Sequence, residues 1–297
     1  PMIPFYIFYS MFGFQRVGDL IWAAADQRAR GFLLGGTAGR TTLNGEGLQH
    51  EDGHSLLWAS SVPNCISYDP AFNYELAVIM HDGLVRMFEQ QEDVFYYLTV
   101  MNENYAHPAM PDGVEEGIIK GMYLFKQAED VAKPRVQLLG AGTIFNEVIA
   151  AADLLKEDWG VESDLWSCTS FTELAREGQA CERENRLHPT KKKQVPYVSQ
   201  CLNERNGPVI ASTDYVRLLA DSIRPFIRKH YSVLGTDGFG RSDTRENLRR
   251  FFEVDRYYVT ITALNALADT GEIEASIVQQ AIEKYGIDVS REAPWLV

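Results

Sequence analysis

Hydrophobic and polar positions along the chain switch repeatedly between a strand period and a helix period. Residues 3–9 (IPFYIFY), rich in aromatic and β-branched side chains, predict a buried strand. A helix is expected over 16–28 and a short strand over 32–34. The pattern is then lost across 35–63, where Gly35, Gly36, Gly39, Gly45, Gly47 and Gly53 gather. A long irregular stretch between well-patterned neighbours points to a functional loop. A strand over 64–68 follows. A helix is expected over 71–89, with Phe72, Leu76, Ile79 and Gly83 on one face. A strand over 94–100 closes this first β/α series, and 102–117, with Pro108, Pro111 and Gly113, is the expected linker. The second series has strands at 136–139, 163–168 and 209–212. Its helices are expected at 144–155, near 215–223, and at 246–252, 259–269 and 273–284. The alternation predicts two α/β domains, each built on a mostly parallel sheet.

Composition narrows the classes. With 297 residues, 45% hydrophobic and 23% charged, the chain is of ordinary globular type and long enough for two cores. Lys and Arg total 28 against 41 for Asp and Glu, a net charge of −13 that repels phosphate backbones and anionic lipid. Nucleic acid and membranes are therefore not expected partners. Cys65, Cys168, Cys181 and Cys201 show no C-x-x-C pairing and read as buried thiols of a cytosolic protein. The apolar stretch 2–14 resembles a signal segment, but its first basic residue, Arg16, comes after it. The chain opens with Pro1, directly in a strand pattern, which suggests a fragment of a longer protein.

Candidate chemistry clusters in the glycine-rich stretch. His50-Glu51-Asp52-Gly53-His54 matches H-E-x-x-H, which binds zinc when both histidines share a helix face, and Glu75 could be a third ligand. Gly45, Gly47 and Gly53 would cost such a helix about 3 kcal/mol at about 1 kcal/mol each. Residues 44–53 also lack an apolar stripe, so a zinc hydrolase is a remote alternative. His50 and His54 then either supply hydrogen bonds or a proton on an active-site loop, or cap loop backbone. Gly140-Ala141-Gly142 follows a strand, but Phe145 stands where a dinucleotide fingerprint has its third glycine, which favours close strand–helix packing. The loop 236–243 (TDGFGRSD) reads as solvated interdomain chain or as a substrate or interface loop, and Lys191–Lys193 as a solvated loop. Among the aromatic residues Tyr6 to Phe14, Tyr9 and Phe12 lie at or just past a strand end, where α/β sheets present ligands.

Several segments carry a resemblance. The stretches 5–55 and 233–255 (VLGTDGFGRSDTRENLRRFFEVD), with SVPNCISYDP, NENYAHPAMPDG and TSFTELAREGQ, resemble the homodimeric bacterial pyruvate dehydrogenase E1 component over essentially the whole chain. That family is thiamin-diphosphate dependent and transketolase-like. The resemblance implies that residues 1–110 are the latter part of a pyrimidine-binding domain and 111–297 a C-terminal domain. It implies that Phe12 packs against the cofactor's aminopyrimidine, with Arg16 helping to orient that side. It also implies that Tyr9 and His50 approach the substrate and its covalent adduct with the cofactor. The implied partners are pyruvate, the lipoyl domain of the E2 acetyltransferase and a second subunit, in the cytoplasm.

The family holds magnesium and diphosphate through a G-D-G motif. Here Asp52-Gly53, Asp82-Gly83, Asp112-Gly113 and Asp237-Gly238 all lack the preceding glycine. The Mg2+/diphosphate site is therefore expected outside this chain, and so is the glutamate that contacts the aminopyrimidine. The fragment is expected to be inactive alone; a non-catalytic dimerisation or assembly module is the alternative.

Overall fold

The computed structural model describes residues 2–130 and 133–297. Two sheets organise them. The first comprises β1 (Phe5–Tyr9), β2 (Phe32–Gly36), β3 (Cys65–Tyr68) and β4 (Phe95–Thr99), ordered β1-β2-β4-β3 and parallel throughout. Around it lie α1 (Ser10–Asp26), α2 (Ser55–Ser61) and α3 (Asn73–Leu84), which runs on into a π turn at Val85–Glu89. Residues 100–114 carry no helix or strand, and α4 (Glu115–Lys120) follows.

The second sheet is ordered β5-β7-β6-β8-β9: β5 (Tyr123–Lys126), β6 (Arg135–Gly140), β7 (Glu162–Ser167), β8 (Val209–Ser212) and β9 (Tyr231–Leu234). All its pairings are parallel except β5 with β7. Helices α5 (Ile144–Trp159), α6 (Phe171–Leu187), α7 (Tyr197–Leu202), α8 (Leu218–Asp221), α9 (Arg245–Phe251), α10 (Arg256–Asp269) and α11 (Ala275–Lys284) complete it. Every residue of the central strands β4 and β6 is buried, which explains their near-continuous apolar runs: both faces of a parallel sheet are covered.

The glycines after β6 serve packing. A Cβ on Gly140 would sit 2.7 Å from the Phe145 ring and 3.0 Å from Val148, so α5 lies directly on the strand end.

Three expectations need correction. The strand expected to be buried at residues 3–9 is an exposed edge: Tyr6 and Ile7 are 62% and 66% exposed, because β1 has β2 as its one sheet neighbour. The stretch 35–63 holds a 3-10 turn at Leu48–His50 and the helix α2, too short to register as a period. Helix α6 is missing from the expected elements, although Phe171, Leu174, Ala175 and Cys181 form a buried stripe on an otherwise polar helix. Its start is nonetheless written in Ser170-x-x-Glu173, where the serine hydroxyl accepts from the Glu173 amide.

The carboxyl ends of the two sheets meet. Past β3, the Asp69 amide donates to the Thr169 carbonyl (2.7 Å) and the Gly142 amide donates to the Asp69 carbonyl (3.1 Å). Thr99 at the end of β4 donates to Asp69 Oδ1 (2.6 Å), and Ser170 donates to the Ser67 carbonyl (2.6 Å). The chain that follows β6 and β7 thus plugs the carboxyl ends of β3 and β4. The end of β1 is left open, with Tyr9 46% exposed.

Candidate functional site at the open end of β1

At this open end the chain passes from β1 into α1 without a loop. The reversal needs Gly13, since a Cβ there would overlap the Phe8 ring. It projects Tyr9, Phe12 and Arg16 from one strand end and the first turns of one helix. The 3-10 turn at Leu48–His50 brings His50 to the same place.

The His50 ring lies 5.5 Å from Tyr9 and 5.0 Å from Phe12, edge-on to the latter, and the Tyr9 and Phe12 rings are 6.0 Å apart. The Arg16 guanidinium sits over Phe12, 4.0 Å from its centroid. All four residues singled out in the sequence therefore converge. His50 Nδ1 is 3.5 Å from Glu46 Oε2 but makes no hydrogen bond.

The helix that H-E-x-x-H requires does not form. Glu51 is extended, and His54 stands before the first turn of α2, packed edge-on against Trp58 at 4.3 Å. Burial holds the His54 pKa below its ordinary value. Glu75 is also committed elsewhere. Its carboxylate accepts from the amides of Ala71 and Phe72 and from the hydroxyls of Tyr123 and Ser167. The zinc-hydrolase alternative fails on this geometry. Among the described residues, no group of three or more His, Cys, Asp or Glu is arranged to hold a metal ion. His54 makes no side-chain cap bond.

Arg40 and Asp214 were not singled out in the sequence, and Glu51, Asp52 and Gly53 were noted only as parts of motifs, not as holding the His50 turn. Arg40, buried, donates through Nη1 to the carbonyls of Thr236 (2.5 Å) and Gly238 (2.6 Å). A Cβ on Gly53 would lie 2.4 Å from the Arg40 guanidinium carbon, so glycine is required there. Asp52 caps α2, accepting from the amides of His54 (3.0 Å) and Ser55 (2.9 Å). Glu51 is fully buried; its Oε2 accepts from the Arg241 amide (2.7 Å) while Oε1 has no hydrogen-bond partner. Burial pushes the Glu51 carboxyl up to about 8.

Asp214, one turn past β8, accepts from the amides and hydroxyls of Thr41 and Thr42. A lone arginine in the polar run 35–47 and an aspartate just past a strand end were the available signals.

Residues 1–108 match the family profile described as pyruvate dehydrogenase E1 component middle domain, and 121–255 match the transketolase-like C-terminal domain. The chain is 68% identical over 297 residues to the pyruvate dehydrogenase E1 component of Cupriavidus necator. It is 60% identical over 298 residues to that of Escherichia coli. Over its whole length the chain is similar to pyruvate dehydrogenase E1 components. Each alignment takes in 100% of this chain and 33% of the relative, so the chain spans a third of the length of these E1 components.

Among solved structures, transketolase from Leishmania mexicana superposes with a TM-score of 0.67 at 16% identity, covering 89% of this chain and 34% of that one. A split-gene transketolase, described as an inactive β4 tetramer, gives 0.63 at 14% identity, covering 90% and 77%. These establish a transketolase-like α/β fold. Among the described residues, no helix is long and apolar enough to cross a membrane.

Proposed function

We propose that the chain is the pyrimidine- and substrate-facing part of a thiamin-diphosphate-dependent pyruvate dehydrogenase. The parent enzyme would decarboxylate pyruvate and pass the acetyl unit to the lipoyl group of E2, as a cytoplasmic homodimer. On this reading residues 1–110 are the latter part of the pyrimidine-binding domain and 111–297 the C-terminal domain, while magnesium and diphosphate are held by another part of the parent. The convergence of Tyr9, Phe12 and His50 at the open end of β1 carries the proposal.

These residues fit the ring end of the cofactor. Two aromatic side chains beside an imidazole offer a wall for a flat heterocycle and hydrogen-bond donors at its rim. When bound, thiamin diphosphate would supply the electron sink that decarboxylation requires. Phe12, held from one face by Arg16, would orient the ring. The Tyr9 hydroxyl and a His50 N–H would donate to the carboxylate or carbonyl oxygen of pyruvate. Neither step needs His50 to be charged beforehand. Replacing His50 by Ala in the full-length enzyme should lower turnover by about 100-fold, the usual scale for a positioned donor, with the melting temperature retained. Unchanged turnover would overturn the assignment.

One observation favours a second reading, an assembly module. The exposed aromatic and aliphatic side chains of β1 suit association, and the similar split-gene chain is described as an inactive β4 tetramer. Calorimetric titration of this chain with thiamin diphosphate and magnesium tests both readings against a complete cofactor site. No binding fits a part of a site or an assembly module, whereas magnesium-dependent binding would place a diphosphate site within these residues.

A further inference from the structure

The His50 turn is not supported by its own sheet alone. Its outer side rests on the loop that follows β9 in the second sheet, and the closest approach is at Gly240. A Cβ on Gly240 would lie 2.5 Å from the Leu48 carbonyl oxygen and 3.0 Å from both the Cβ and Oε2 of Glu51. Those two residues flank His50 in the 3-10 turn and just after it. The φ of Gly240 lies outside the left-handed region, so conformation does not demand glycine there; space does.

The same loop accepts from Arg40 at Thr236 and Gly238 and donates from the Arg241 amide to Glu51. The Gly53 carbonyl accepts from the Val216 amide at 2.8 Å. Three successive parts of the 40–53 segment are thus tied to the second sheet's domain, whereas His50 meets Tyr9 of β1 and Phe12 of α1 through ring contacts.

We propose that the 236–241 loop, through the close contact at Gly240, is the positioning element that sets where His50 stands relative to Tyr9 and Phe12. Gly240 touches neither ring and is a positioning residue. The proposal rests on the functional reading only for its consequence in catalysis; the contact itself can be tested without turnover.

The test uses histidine-labelled chain and magnetic resonance. Ring protons of His50, assigned by their loss in His50→Gln, feel the ring currents of Tyr9 and Phe12 at 5.5 and 5.0 Å. Gly240→Val should wedge the loop from Leu48 and Glu51 and move the His50 resonances towards those of an exposed histidine. The signals of the other five of the six histidines should stay in place. Phe239→Ala, one residue away at a side chain 77% exposed, should leave His50 unmoved.

A folded Gly240→Val with unmoved His50 signals would overturn the proposal, and so would equal movement in Phe239→Ala. Should Gly240→Val not fold, Gly240→Ala must show the same displacement at smaller amplitude, and its absence is equally decisive. Moved signals together with unchanged turnover of His50→Ala in the full-length enzyme would uphold the positioning contact and overturn the catalytic reading of His50.

Discussion

Strands β1 and β6 look alike as sequence, yet they occupy opposite environments. FYIFY and RVQLLG both read as strands bound for the interior of a parallel sheet. In β6 all six residues are buried, between β7 and β8 with helices on both faces. In β1 no residue is fully buried, and Tyr6, Phe8, Leu20 and Ile21 line an apolar groove between the strand and α1. The difference teaches that an apolar strand records the covering it needs and says nothing about whether its neighbours provide it. The end of β1 is also where the candidate site lies, so the most exposed strand of the first sheet is the one with chemistry at its tip. The carboxyl ends of β3 and β4 are closed by the second sheet's loops and can serve only as support.

The sharpest way to break this comparison is to truncate one side chain on each strand. Leu138→Ala in β6, fully buried, should cost about 3 kcal/mol, the usual loss for a cavity in a packed core. Ile7→Ala in β1, 66% exposed, should cost under about 0.5 kcal/mol. Urea midpoints compare the two directly, and equal losses would mean that β1 is covered in solution.

A somewhat smaller effect is expected where the sheets join. Asp214→Ala strands the buried amides and hydroxyls of Thr41 and Thr42 and should cost about 2 to 3 kcal/mol. Thermal unfolding would check it, and a loss below about 0.5 kcal/mol would show that water replaces the carboxylate.

A different kind of effect is expected from pH. Burial raises the carboxyls of Glu51 to about 8 and Asp69 to about 7, so the folded chain keeps protons that the unfolded chain has released. Their contribution to stability is full below about pH 4.5 and is lost as pH rises through 7 and 8. Stability should fall by on the order of 6 kcal/mol between pH 5 and 8 when the two shifts add, since a tenfold change in proton affinity is about 1.4 kcal/mol. Glu51→Gln should flatten the upper part of that curve. A curve rising with pH in that range would show both groups ionised in the fold.

The parallel sheets were legible because long strands and helices leave strong periods, as in residues 71–89 and 144–155. Helix α2 was not, since its seven residues make only about two turns, and strand β5 was not legible either. The site was legible in part. Tyr9, Phe12, Arg16 and His50 stood out through a family resemblance, Tyr9 and Phe12 also through their place at a strand end and His50 through the H-E-x-x-H segment. Arg40, Asp214 and the structural role of Glu51 did not, because their partners lie far along the chain: Thr236 is 196 residues from Arg40 and Arg241 is 190 from Glu51.

The sequence by itself determined most element types, the mostly parallel sheets, the absence of a helix spanning the H-E-x-x-H segment and the resemblance to pyruvate dehydrogenase E1 components. These follow from local periodicity, glycine's cost in a helix and motif identity, all of which act over a few residues. The tertiary structure alone decided that β1 is an edge, that the two sheets face one another end to end, and that a loop of the second holds His50 against two rings of the first. Those outcomes depend on which distant surfaces meet, and the van der Waals and hydrogen-bond contacts that decide it have a range of only a few ångströms in space and no fixed range along the chain.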